Sequence, residues 1–169
     1  MTPPEHALTG ALAGTLLVYG LPGEPERRLS LVAWVALGAL APDVDALSLL
    51  FSHATYFGSA WYSHRVFFHS LAGCAVLAAV LGVALPALFA SLRTTSPIRP
   101  PARPVPSVAR VLALFAGGLV HLAGDLPTPP GPWSGIPLLF PLPGRFGGWS
   151  HLGWVNAVLI YLLGAAALA

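Results

Sequence analysis

The chain has 169 residues, enough for one domain, and is 56% hydrophobic but only 8% charged, with a mean hydropathy of +0.75. Soluble domains carry about 25% charged residues, so this composition excludes an ordinary water-soluble protein and points to a membrane. Eight arginines, no lysine and six acidic residues leave a net charge of +2. That is too small and scattered for a nucleic-acid footprint, despite a pI of 9.1. The single cysteine, Cys74, cannot form an internal disulfide and reads as a small buried residue.

Five apolar stretches follow one another, at about 7–20, 29–51, 67–92, 109–126 and 152–169. No alternation of strand type persists, so helices are the expected way to satisfy backbone groups in lipid. The fold class is therefore all-α, a polytopic membrane bundle of about four or five helices in a single domain over 1–169. The first stretch is short of the roughly 20 residues a span needs, although Pro3 and Pro4 can start its helix earlier. Glu5 and His6 precede it with no basic region, which does not fit a signal peptide. In the second stretch, Pro42 predicts a kink or a stop. Residues 93–107, rich in proline and arginine, read as an extended linker. Residues 127–150, rich in proline, glycine and tryptophan, read as a partly embedded, aromatic-edged loop over a site.

Arginine placement orients this bundle. Arg27 and Arg28 mark the first loop, and Arg93, Arg99, Arg103 and Arg110 mark the loop after the third stretch. The alternate loops carry only Arg65 and Arg145. The positive-inside rule then puts the first pair of loops in the cytoplasm. On that map His6, Asp43, Asp45, His64, His69, His121, Asp125 and His151 all fall toward the non-cytoplasmic end.

Between residues 27 and 169 the only acidic side chains are Asp43, Asp45 and Asp125, each in an apolar segment and near histidines in sequence. A carboxylate in lipid is costly unless paired, so such residues mark function by default. Imidazole nitrogens and carboxylate oxygens are the donors that zinc and related divalent ions prefer. His121 and Asp125 are four apart, on one helical face. His64 and His69 are five apart, about 140° around a helix, and converge only if His64 lies in the preceding loop. Asp43 and Asp45 diverge in a regular helix, so one of each pair is expected to bind the ion and the other to orient a ligand. Arg65 suits an anionic group such as phosphate.

Plainer roles stand beside these. His121 with Asp125 also fits a buried hydrogen-bonded pair, and Pro42-Asp43-Val44-Asp45 also fits a helix cap after a proline break. His53 fits no motif and reads as a packing residue, while His151 fits an interfacial anchor or a ligand equally well.

Taken in order, the pieces resemble a known family. They are His6…Gly10, Leu40-Ala41-Pro42-Asp43-Val44-Asp45, His64-Arg65…His69-Ser70 and His121-Leu122-Ala123-Gly124-Asp125-Leu126. Thr128-Pro129-Pro130-Gly131 and Leu138-Leu139-Phe140-Pro141 complete the set. The chain resembles the YdjM-like membrane-bound metal-dependent hydrolases, described as LexA-binding and inner-membrane-associated. It departs at Val66-Phe67-Phe68, where the family pattern has a small residue and a threonine before the second histidine. More distantly it is similar to zinc-dependent phospholipase C and its nuclease relatives, all-helical enzymes with a His-x-x-x-Asp helix pair. The resemblance implies a bacterial inner-membrane location, a divalent metal such as zinc, and a regulatory protein partner. It also implies metal ligands among His6, Asp43 or Asp45, His64 or His69, His121 and Asp125, with one or two ions rather than three.

Three function classes follow. The first is a metal-dependent hydrolase of phosphoesters, membrane-lipid headgroups among them, with Asp45 as general base and Arg65 on the anion. The second is a metal- or proton-coupled transporter, although ligands gathered near one face do not suit a midplane site. The third is a non-catalytic membrane protein with a structural metal, which requires a closed ligand set.

Overall fold

The computed structural model describes residues 1–58, 61–92, 105–127, 135–148 and 164. Regular structure among them is helical apart from one isolated antiparallel bridge between Ile136 and Phe146. Helix α1 spans Pro3–Tyr19 and α2 spans Pro25–Leu40. Both begin on a proline, whose missing N–H is no loss in a first turn. The Thr2 N–H donates to the Glu5 carboxylate at 2.6 Å, which fixes the turn that carries His6. The α-helical geometry of α2 ends at Leu40, as Pro42 predicts, and the chain runs on as a 3-10 helix over Ala41–Leu50.

A short helix α3 (His53–Phe57) and an irregular stretch lead to α4 (Leu71–Ala79). Ser70 starts α4: its Oγ accepts from the Gly73 N–H at 3.0 Å and donates to the Phe67 carbonyl at 2.6 Å. Helix α4 widens into a π turn at Val80–Ala84 and resumes as α5 (Leu85–Leu92). Pro86 accounts for the widening, because it has no N–H to offer the Gly82 carbonyl four residues back. Arg110 supplies the missing donor, its Nε–H reaching that carbonyl at 2.9 Å from the first turn of α6 (Ser107–Asp125).

Among the described residues, three helical stretches are long and apolar enough to cross a membrane: Pro25–Leu50, Leu71–Leu88 and Ser107–Asp125. That is fewer than the four or five expected from hydropathy. Helix α1 has 17 residues, and the 152–169 stretch lies outside the described residues apart from Gly164. The helix of the 67–92 apolar run starts only at Leu71, leaving His69 just ahead of it.

Helix α2 packs between α1 and α6, and α6 also packs on α4. Lipid tails are as apolar as leucine, so such contacts depend on close van der Waals fit and small residues. Glycines provide it here. A Cβ on Gly38 would strike the backbone of Leu114, and one on Gly117 would strike the backbone of Val35 and Gly38. Leu16, Leu17, Leu29, Leu47 and Leu50 point outward, as a lipid-facing surface requires.

The described part of the proline- and glycine-rich loop folds over one end of this bundle. Ile136 and Phe146 exchange backbone hydrogen bonds at 2.8 Å each. The Leu71 N–H donates to the Leu138 carbonyl at 3.0 Å, and the Gly148 N–H to the Leu126 carbonyl at 2.9 Å. These bonds tie the loop to the start of α4 and the end of α6, with Ile136 buried against Cys74 and Leu122. Trp133 and Trp149 lie outside the described residues.

Replacing Gly117 with valine should force α2 and α6 apart at a cost of about 1–3 kcal/mol or more. Thermal unfolding in mild detergent should show a lower Tm for Gly117→Val. Gly20→Ala should change little, since no atom lies within 4 Å of a Cβ there. Equal Tm values for the Gly117 variant and the wild type would contradict the packing described.

Candidate metal centre

Four chain segments meet at the loop-covered end of the bundle. The first turn of α1 brings His6, and the 3-10 helix brings Asp43 and Asp45. The stretch before α4 brings His64, Arg65 and His69, and the last turn of α6 brings His121 and Asp125. His6, His69, His121 and Asp125 are 0% exposed.

The centre of the cluster is a pair of imidazoles. His121 Nδ1 lies 2.7 Å from the Ala39 carbonyl, which can only accept, so Nδ1 carries the proton. His69 Nδ1 lies 3.0 Å from Asp45 Oδ2 and donates in the same way. In their neutral forms both rings then present Nε2 lone pairs, and the two Nε2 atoms are 3.1 Å apart. Two lone pairs at that distance repel unless a proton or a cation sits between them. Asp125 Oδ2 stands 3.5 Å from His69 Nε2 and 3.6 Å from His121 Nε2. Asp43 Oδ1 stands 3.6 Å and 3.8 Å from the same two atoms.

Asp125 is the charge hub. Its Oδ1 accepts from Arg65 at 2.8 Å and from the Met1 amino group at 2.9 Å, with His6 Nε2 at 3.4 Å. Arg65 also donates its backbone N–H to Asp45 Oδ2 at 3.1 Å, and it does so from a left-handed backbone, φ 59°. A bulky residue rarely adopts that conformation, and here two carboxylates hold it. The His6 ring stacks on His121 with centroids 3.6 Å apart, and its Nδ1 is buried without a hydrogen-bond partner.

Asp45 Oδ1 pairs with His64 Nδ1 at 2.7 Å. His64 lies in the irregular stretch before α4, the one placement that lets it converge with His69. Asp43 and Asp45 diverge, as their spacing predicts, yet both meet His69, because they address opposite edges of one ring. His69 is held above the ordinary imidazole range. Burial alone would lower it, but the Asp43 and Asp45 contacts and the charges of Asp45 and Asp125 outweigh that penalty. Tyr56, stacked on His64 with centroids 4.9 Å apart, is raised by its partial burial and by the charges of Asp45 and Asp43.

The donor set fits a divalent ion. Three overlapping groups, His6/His121/Asp125, Asp43/His69/His121 and Asp45/His64/His69, each place ligand atoms within 4.8 Å of one another. Two nitrogens bound at about 2.0–2.1 Å to a tetrahedral ion stand roughly 3.3 Å apart, close to the His69–His121 spacing. Metal-bound histidines commonly donate their other N–H to a carboxylate or carbonyl, as His69 and His121 do here. His6, grouped with His121 and Asp125, offers a further donor.

His53 is apart from the cluster, exposed on α3 with its ring 4.1 Å from Phe57. His151 lies outside the described residues. Sequence reasoning missed the Ala39 carbonyl, the Arg65–Asp125 pair and the Met1 amino group. The glycines at 38 and 117, beside Ala39 and one turn before His121, were the available signal for the first.

Purified protein loaded with zinc should retain the ion, and His121→Ala and Asp43→Asn should each weaken its affinity at least tenfold. His53→Ala should bind as the wild type does. Asp125→Asn also leaves Arg65 against a neutral amide, so it should lower both metal content and Tm. Elemental analysis after dialysis reads these outcomes; unchanged stoichiometry in His121→Ala and Asp43→Asn would remove both from the site.

No curated protein and no solved structure matches the chain. A family model described as YdjM inner membrane protein matches residues 1–168. The ordered motifs, the apolar membrane-length helices and the buried His/Asp cluster thus belong to a multi-pass inner-membrane protein, and the chain is a member of the YdjM family.

Proposed function

We propose that this protein is a membrane-bound, zinc-dependent hydrolase of phosphoesters, with its centre at the non-cytoplasmic face. One observation carries the reading. The Nε2 atoms of His69 and His121 face each other at 3.1 Å, with Asp43 and Asp125 oxygens beside them. In this reading Asp43, His69, His121 and Asp125 hold the ion, and His6 and His64 flank it. A divalent ion there supplies Lewis acidity, lowering the pKa of a water and polarising a phosphoryl oxygen.

The chain's own residues supply orientation and charge. Asp45 grips His64 and His69 and, with His64, forms a carboxylate–imidazole pair that would accept a proton from an attacking water at His64 Nε2. Arg65 sets a positive charge beside Asp125, and that charge attracts the phosphoryl group. Asp43 is the least enclosed of the proposed ligands, its side chain 14% exposed while His69 and Asp125 are at most 1%. A position at one end of the bundle supports hydrolysis over transport, which calls for a site near the midplane. The deep burial of the remaining ligands favours a second reading, a structural ion in a closed set.

Turnover separates the two. Zinc-loaded protein in mild detergent should hydrolyse a phosphodiester such as bis(p-nitrophenyl) phosphate, lose that activity to a chelator and regain it with zinc. A protein that holds zinc and cleaves no phosphoester would favour the structural ion. Sidedness is tested separately, with cysteine reporters and a membrane-impermeant label. Reporters within 93–107 should be protected and reporters within 127–150 should react. The reverse pattern would put the centre on the cytoplasmic side.

A further inference from the structure

Beside the cluster lies a groove of about 480 Å³ that the metal-centre reading does not use. That volume lies within the usual range for small-ligand pockets, roughly 300–1,000 Å³. Val44, Phe51 and Phe68 give it an apolar lining, and Thr55 and Tyr62 add hydroxyl groups. Asp45 forms part of its wall, so the groove adjoins the carboxylate that grips His69. Ser48 also lines it, and the Ser48 hydroxyl is buried with no hydrogen-bond partner in a residue only 6% exposed. A buried hydroxyl left unpaired is costly, and a ligand oxygen in the groove would satisfy it.

The surroundings decide what that ligand is. Val44, Ser48 and the residues between them belong to the Pro25–Leu50 membrane-length stretch. Val44, Leu47, Leu49, Leu50 and Phe51 present exposed apolar surface around this wall, from 43% at Val44 to 82% at Phe51. Such a rim is at home against lipid tails rather than water. The groove is therefore open toward the bilayer at its apolar rim and polar where it meets Asp45 and Ser48.

We propose that this groove is a lateral entry site for a phospholipid. One acyl chain lies along Val44, Phe51 and Phe68, and an ester oxygen accepts from Ser48. The proposal rests on the hydrolase reading for the fate of the lipid, and names its substrate as a bilayer phospholipid rather than a soluble phosphoester. Binding itself does not depend on turnover.

The test uses the full chain, zinc-loaded, in nanodiscs of phosphatidylglycerol that include an analogue with a diazirine on an acyl chain. Photolysis should label peptides containing Val44, Phe51 or Phe68. Ser48→Trp and Val44→Trp, which fill the groove from its floor and its rim, should each cut that labelling at least fivefold. Zinc content and Tm report folding, and if Ser48→Trp unfolds, Val44→Trp decides, since Val44 is already partly exposed. Labelling of the groove peptides that is equal in wild type and a folded Val44→Trp would overturn the proposal, as would labelling confined to outward leucines such as Leu16 and Leu29. Groove labelling in a protein that cleaves no phosphoester would uphold the lipid site and remove the hydrolase reading alone.

Discussion

Two imidazole nitrogens that face each other across 3.1 Å inside a nonpolar bundle set the terms for everything around them. Neither ring is free to turn away, since Asp45 holds His69 and the Ala39 carbonyl holds His121, each through Nδ1. A buried pair of lone pairs demands a positive charge between them, and the adjacent Asp43 and Asp125 carboxylates add to that demand. Arg65 and the Met1 amino group already answer part of it at Asp125 Oδ1. A proton shared by the two rings, or a divalent ion held by donors already in place, would answer the rest.

The bundle exists in the form that makes this arrangement cheap to hold. Backbone contact at Gly38 and Gly117 brings α2 against α6 closely enough for the Ala39 carbonyl to reach a histidine ring on the neighbouring helix. The 3-10 continuation after Pro42 turns Asp43 and Asp45 to opposite edges of His69, and the irregular stretch before α4 lets His64 and Arg65 join from a separate direction. At the far end Arg110 repairs the carbonyl that Pro86 leaves without a donor, so the strain of one helix is absorbed away from the cluster. The YdjM relationship covers nearly the whole chain, which suits a site built from segments spread between residues 6 and 125.

Much of this was legible in the sequence because polar residues are so rare in it. Three aspartates among apolar helices, with histidines at fixed offsets, stand out without structural knowledge, and His121/Asp125 reads directly from helical spacing. What was not legible depended on backbone geometry. Hydropathy counts apolar residues and does not see where a helix starts, so His69 was placed within a span although Ser70 caps the helix after it. A carbonyl such as that of Ala39 carries no mark in the sequence, and only the approach of two glycine faces creates the contact. The Arg65–Asp125 pair carries no mark in the sequence either, because its members are 60 residues apart and only α6 brings them together.

The most direct measurement of the central claim is X-ray absorption at the zinc edge on zinc-loaded protein in detergent. The ion should show a shell of nitrogen and oxygen donors alone at about 2.0–2.1 Å, with the multiple-scattering signature of two or more imidazoles. A shell containing sulfur, or one made of water oxygens without imidazole scattering, would contradict the claim.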